Sequence, residues 1–347
     1  MEEKVRVLIV DDSAFFRKRI REQLERSGEI VIAGEAANGQ EAVTMAGTLR
    51  PDVITMDVAM PLMDGISAVR HIMREHPTDI LMVSALTREG ARSTLDALEA
   101  GAVDFLTKHT GGAGGSARGG VESLAERVID IARHQRERQP HGRGVPQKPA
   151  VPGRRERRRD ALRLVAIGAS TGGPVAVQRV LAALPANYPY PLVVAVHMPA
   201  EFTAAFAERL DATCAIKVRH ANDGDELSPG LALIAPGGLQ SSVELHGGHL
   251  RVRVRPGGEH LYKPSVDILF ESAAEALGGA VQAVVLTGMG SDGTAGAGRL
   301  KARGAIVWSQ DQQSSVVYGM PYSVAKAGYT DRVLALDDIG PALAGLH

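Results

Sequence analysis

The chain has 347 residues, 44% of them hydrophobic, and a formal net charge of −1, which is long for one core and comfortable for two. Residues 1–138 hold 18 basic and 22 acidic side chains, 139–161 hold 7 and 2, and 162–347 hold 14 and 16. Neither long region therefore has the basic excess of a nucleic-acid binder. The one cysteine, Cys214, excludes an intrachain disulfide and fits a reducing compartment. No apolar run approaches the roughly 20 residues of a spanning helix, and the acidic start MEEKVRVLIVDD is unlike a signal peptide. A cytoplasmic protein without membrane insertion is expected.

Apolar runs alternate with helical periodicity from the first residues, the pattern of a parallel sheet covered by helices. Strands are predicted at 5–10, 30–35, 52–57, 79–84 and 102–107. After Ser13, a possible N-cap, Phe16, Ile20 and Leu24 form a helical stripe. A last helix at about 121–137 shows Val121, Leu124, Val128 and Ile131 on one face. Five strands and five helices make a doubly wound (βα)5 domain over 1–138.

Groups at the carboxyl ends of neighbouring parallel strands converge on one crevice. Asp11 and Asp12 end the first strand, Asp57 the third, Ser84 the fourth and Lys108 the fifth. A lone strand-end aspartate reads most simply as a cap or turn residue, but five such groups at strand ends do not. Close carboxylates repel unless a hard cation lies among them, and Mg²⁺ suits oxygen ligands. In such a pocket the Asp57 carboxylate can attack a phosphoryl donor while Mg²⁺ and Lys108 neutralise the product.

The strings VDDS, MDVAMPLMDG, VSALT and DFLTK resemble the receiver domain of two-component response regulators. The resemblance implies Asp57 as phosphoacceptor, Asp11, Asp12 and Asp57 as the Mg²⁺ site, and Ser84 and Lys108 as sensors of the phosphoryl group. It also implies Phe105 as the aromatic that changes rotamer on activation, and a histidine kinase as phosphodonor. His109 stands where the family usually has proline. A trans peptide is expected there, since cis before a non-proline residue costs about 2.5–4 kcal/mol.

GGAGGSARGG at 111–120 leads into the last helix, and the stretch 139–161 follows, rich in Pro, Gly and Arg. Without apolar periodicity it reads as a flexible basic linker. RRERRR at 154–159 is a solvated tether or, alternatively, a salt-sensitive dock for an acidic partner.

From residue 162 the alternation resumes, with strands predicted at about 162–169, 191–197, 215–220, 281–287 and 305–310. SVELHGGHLRVRV reads as a β-hairpin turning at Gly247-Gly248. The region 162–347 is expected to be a doubly wound, mostly parallel α/β sheet with the hairpin appended. Cys214 is expected to be buried and structural.

Gly168-Ala169-Ser170-Thr171-Gly172 fits G-x-S-x-G, a strand-to-helix turn that exposes a serine hydroxyl. Such a turn can equally bind phosphate through its amides. A serine nucleophile needs a base, and the base an orienting acid. Only His197 ends an apolar strand of this region, and Asp292 follows another in a loop with glycines at 288, 290 and 293. All three groups emerge at the carboxyl edge of one sheet, as a Ser-His-Asp relay requires. The order Ser…His…Asp counts against an α/β-hydrolase, whose histidine comes last.

The strings GASTGGP, HMP, FAERL, DGD, IAPGG, PSVDILFESAA, LTGMGSDG and VVYGMP resemble the catalytic domain of chemotaxis-specific protein-glutamate methylesterases, the CheB family. The resemblance spans 162–347, and the receiver–linker–esterase order extends it over nearly the whole chain. It implies Ser170 as nucleophile, His197 as general base and then acid, Asp292 as its partner, and the Thr171 and Met289 amides as oxyanion donors. It further implies glutamate γ-methyl esters of chemoreceptors as substrate, methanol as product, receptor glutamine deamidation as a companion activity, and no cofactor for hydrolysis. Val196 and Gln240 stand where the family often has Gln and His. Two other readings compete: a phosphorylation-controlled receptor-docking module without esterase activity, and a nucleotide-binding regulator, which the lack of G-x-G-x-x-G disfavours.

Overall fold

The computed structural model describes residues 3–84, 87–108, 124–138 and 162–346. The chain divides into two compact units, Met1–Gln139 and Pro140–His347. His109, Val121 and the stretches 111–120 and 139–161 lie outside the described residues.

The first unit runs β1 (Val5–Val10), α1 (Ala14–Glu25), β2 (Ile30–Ala36), α2 (Gly39–Leu49), β3 (Val53–Asp57), α3 (Gly65–Glu75), β4 (Asp79–Ser84), α4 (Arg88–Glu99), β5 (Asp104–Thr107) and α5 (Leu124–Arg138). The five strands pair in parallel in the order β2-β1-β3-β4-β5. The apolar residues of the inner strands β1, β3 and β4, among them Leu8, Ile54, Met56 and Leu81, are buried. That burial on both faces explains why these strands read as continuous apolar runs. The chain reverses direction across the sheet between β1 and β3, which places the ligand crevice beyond their carboxyl ends. Ser13 precedes α1 but its side chain caps nothing; instead its amide donates to Asp11 Oδ1 at 2.9 Å.

The second unit runs β6 (Leu164–Ala169), α6 (Gly173–Ala182), β7 (Leu192–Val196), α7 (Ala200–Thr213), β8 (Lys217–His220), β9 (Leu231–Ile234), β10 (Leu239–His246), β11 (His249–Pro256), α8 (Val266–Leu277), β12 (Val281–Val285), α9 (Thr294–Ala302), β13 (Ile306–Gln310), α10 (Met320–Lys326), β14 (Arg332–Leu334) and α11 (Leu336–Ala344). Seven strands pair in parallel in the order β14-β13-β12-β6-β7-β9-β8. The antiparallel hairpin β10-β11 turns at Gly247-Gly248, with His246 opposite His249. Five of the seven strands match the sequence expectation; β9 and β14 do not appear in it. β9 is the four-residue run LALI wedged between β7 and β8, and β14 a three-residue edge, both too short to carry a period.

From β6 the chain proceeds to β7 on one side, and from β12 to β13 on the other. The switch point of the sheet therefore lies between β6 and β12, and the segments that follow these two strands meet at its carboxyl edge, where the Ser170 amide donates to the Thr287 carbonyl at 3.0 Å. Cys214 is half-buried rather than buried, because it caps the end of α7 near the surface.

Candidate active site and phosphoacceptor pocket

In the first unit, Asp11, Asp12 and Asp57 each offer an oxygen, all within 4.8 Å of one another. Lys108 reaches across from the end of β5 and places Nζ 2.9 Å from Asp11 Oδ2 and 2.8 Å from Asp57 Oδ2. Its amide donates to the Ser84 carbonyl at 2.8 Å, which fastens the ends of β4 and β5 together. Burial pushes the Asp57 carboxyl upward, and the Lys108 ammonium offsets only part of this while Asp11 adds repulsion. Burial works against the Lys108 charge, but the two carboxylates outweigh it and hold its pKa above the ordinary value. Ser84 is buried at the end of β4 and Phe105 within β5. The donor set is all oxygen, with Asp12 exposed, as Mg²⁺ favours.

In the second unit, β6 ends at Ala169 and the chain turns through Ser170 into α6. The turn needs Gly172, whose φ is +74°, and closes with the Gly173 amide donating to the Ser170 carbonyl. Ser170 is only 4% exposed. On the adjacent strand Val196 pairs with Ala169, and the His197 amide donates to the Ala169 carbonyl at 3.1 Å. Ser170 and His197 are thus each one residue beyond a paired position on neighbouring strands. From the other side the loop after β12 presses against the serine: a Cβ on Gly288 would lie 2.7 Å from Ser170 Cβ and 2.5 Å from Met320 Sδ. Only glycine permits that approach.

Asp292, in the same loop, accepts a hydrogen bond from His197 Nε2 at 2.8 Å. It also accepts from the Ser265 hydroxyl and from the amides of Val266, Asp267 and Gly293, at 2.7–3.1 Å. The carboxylate thus sits at the N-terminus of α8, where amides and dipole favour negative charge. Burial pushes Asp292 up, but His197 and these amides outweigh it and hold the carboxyl below its ordinary range. An ionised carboxylate only accepts, so the proton on His197 lies on Nε2 and the Nδ1 lone pair is free. Nδ1 is buried without a hydrogen-bond partner, and among the described residues Ser170 Oγ makes no hydrogen bond to it. The structure joins histidine to aspartate directly and brings the serine to the neighbouring strand end without closing the last link, which in unliganded sites is commonly long.

Among the described residues neither the Thr171 nor the Met289 amide has a hydrogen-bond acceptor. Both segments are held by Thr287, which sequence reasoning missed. Its hydroxyl donates to the Thr171 carbonyl at 2.9 Å and accepts from the Val316 and Val317 amides, and its carbonyl receives the Ser170 amide. Gln310 in turn receives the Thr287 amide at 2.7 Å. Tyr262 was also missed: its ring stacks on His197 with centroids 4.2 Å apart and planes 5° from parallel. The VVYGMP segment backs the loop, with the Gly319 and Met320 amides both donating to the Gly288 carbonyl.

Asp267 neighbours Asp292 and behaves oppositely. Burial, partly offset by the Gly296 amide and reinforced by Asp292 and Glu271, pushes it up to about 6. A carboxyl raised in the folded state binds more protons than in the unfolded chain, so stability falls as pH climbs from its ordinary value of 3.8 towards about 6. Asp267→Asn keeps an oxygen for the Gly296 amide, which Asp267 Oδ1 accepts at 2.8 Å. The variant should gain stability over the wild type progressively through that window and hold a constant advantage above it. Melting temperatures measured from pH 4 to pH 8 check this, and a pH-independent difference would refute it.

A (βα)5 unit with an acidic pocket at its strand ends, followed by a parallel sheet whose rim carries serine, histidine and aspartate, is the organisation of a response regulator with a hydrolase output. Residues 7–113 match the response regulator receiver domain and residues 165–343 the family described as CheB methylesterase. A protein of Alkalilimnicola ehrlichii named protein-glutamate methylesterase/protein-glutamine glutaminase is 51% identical, covering 99% of this chain and 100% of its own. A Pseudomonas aeruginosa protein of that name, numbered 1, is 52% identical over 97% of both chains. The crystal structure of the Thermotoga maritima CheB methylesterase catalytic domain superposes with a TM-score of 0.52 at 40% identity, covering 54% of this chain and 99% of that one. The chain belongs to the CheB methylesterase family. Among the described residues no helix is long and apolar enough to cross a membrane.

Proposed function

We propose that the chain hydrolyses glutamate γ-methyl esters on chemoreceptors, releases methanol, and is switched by phosphorylation of Asp57. The observation that carries this reading is the His197–Asp292 hydrogen bond beside Ser170 at the switch point of the second sheet. Ser170 Oγ attacks the ester carbonyl as His197 Nδ1 takes its proton. The imidazolium keeps its Nε2–H on Asp292, and the oxyanion receives the Thr171 and Met289 amides. The proton then passes to the methoxy group, which leaves as methanol. Water repeats the sequence on the acyl-enzyme, giving the glutamate carboxylate and free Ser170. The same steps on a side-chain amide release ammonia, in keeping with the glutaminase half of the relatives' names.

In the first unit Asp11, Asp12 and Asp57 would hold Mg²⁺, which supplies charge neutralisation for phosphate oxygens on the Asp57 carboxylate. Lys108, already bridging Asp11 and Asp57, supplies a second positive charge, and Ser84 and Phe105 register the phosphoryl group. A histidine kinase is the donor. The N-terminal unit (1–138), the basic linker (139–161) and the catalytic unit (162–347) divide these tasks.

Methanol release from methylated receptor fragments by the intact protein should rise when an acyl-phosphate donor and Mg²⁺ are added. Asp57→Asn should abolish the rise while leaving the basal rate. An unchanged rate in the wild type would refute the switch, and absence of methanol under all conditions would refute the esterase. Receptor binding without methanol would leave the docking module in its place.

A further inference from the structure

We propose that Gln240 is a positioning residue for the His197–Asp292 pair, acting through Tyr262 and Ser265. This deepens the esterase reading and rests on His197 being its base. Gln240 is the second residue of the hairpin strand β10, outside the seven-stranded sheet, yet it is only 7% exposed and its side chain turns inward. Its carboxamide makes two short bonds to one loop: Nε2 donates to the Tyr262 carbonyl at 2.7 Å, and Oε1 accepts the Ser265 amide at 2.7 Å. The fork therefore fixes both ends of the 262–265 segment.

Each end touches the acid–base pair. Tyr262 stacks flat on the imidazole, and its hydroxyl extends towards the loop after β12, where a Cβ on Gly290 would meet it at 3.0 Å. Ser265 donates from Oγ to Asp292 Oδ1 at 2.9 Å and is the N-cap of α8, whose first amides hold the same carboxylate. One buried amide thus sets the ring that covers the base and the hydroxyl that orients the acid. Leaving either half unpaired would strand a buried donor or acceptor, so the segment is held where the carboxamide fits. A base must keep its lone pair aimed at the nucleophile, and misplacement by about 1 Å can cost about 100-fold in rate.

Gln240→Ala removes both bonds. Gln240→Glu keeps the shape and the Ser265 acceptor but turns an oxygen towards the Tyr262 carbonyl. Both should lower kcat for methanol release about 10- to 100-fold with KM unchanged, and both should abolish the ring-current shift that Tyr262 imposes on the carbon-bound protons of His197. Tyr262→Phe, which keeps the stack, should retain the shift; Tyr262→Leu should lose it and fall in kcat. Combining Gln240→Glu with Tyr262→Leu should be little worse than Tyr262→Leu alone, because residues acting in one chain are not additive. A retained shift in both Gln240 variants, unchanged kcat, or additive losses would overturn the proposal. The resonance is read without substrate, so a failure of the esterase reading is distinguishable from a failure of this one. If Gln240→Ala proves unstable, the isosteric Gln240→Glu carries the test.

Discussion

Ser170→Ala should reduce methanol release by about 10⁴-fold or more, towards the residual rate that bound substrate and oxyanion donors give without a nucleophile. The size follows from the absence of a substitute. Cys214, the only thiol in the chain, is at the end of α7 with its pKa raised by burial, and among the described residues the buried Thr171 hydroxyl has no hydrogen-bond partner to take its proton. The loss should come without unfolding. Among the described residues the Ser170 side chain makes no hydrogen bond, whereas its amide and carbonyl hold the turn through Thr287 and Gly173; alanine keeps both backbone groups. Methanol release and melting temperature on the same preparation separate the two effects. Turnover surviving at the wild-type level would show that the serine turn does something else, such as binding an anion through its amides.

What could be read in advance was whatever a parallel sheet dictates by itself. Asp11, Asp57 and Lys108 were legible because strand ends converge whatever the loops do, and the structure brings their side chains within 2.9 Å of one ammonium. Ser170, His197 and Asp292 were legible for the same reason, each following a buried strand at one rim. Tyr262, Ser265, Gln240 and Thr287 were not, because their roles arise from how loops and the hairpin dock. Nothing in the string LYKPSVD says that its tyrosine lies flat on the histidine that follows β7. Ser13 fits the N-cap pattern, yet the Asp11 carboxylate beside it takes its amide and no side-chain cap forms. β9 and β14 are three or four residues long and are recruited by their neighbours in the sheet, not by a period of their own.

Asp292→Asn is the sharper test of the relay because it exchanges one carboxylate oxygen for NH₂ and keeps the shape. The carboxylate accepts five hydrogen bonds and donates none. An amide has one oxygen and one NH₂, so a conflict arises whichever way it turns. With NH₂ on the side of His197 and Val266, the Val266 amide loses its acceptor and the imidazole must present a lone pair at Nε2. The proton then moves to Nδ1, and the base can no longer accept from Ser170. With oxygen on that side the tautomer survives, but NH₂ faces the Asp267 and Gly293 amides, donor against donor. Kcat should fall on the order of 10³–10⁴-fold with KM little changed, and stability should drop by about 1–3 kcal/mol for the buried donor left unpaired. Asp292→Ala should cost more in stability, since it strands the Val266 and Asp267 amides at the start of α8 together with the Ser265 hydroxyl and the Gly293 amide. Nitrogen-15 shifts of the His197 ring would report which nitrogen carries the proton in the folded variant. A proton still on Nε2 together with activity within tenfold of wild type would mean that Asp292 only builds the loop.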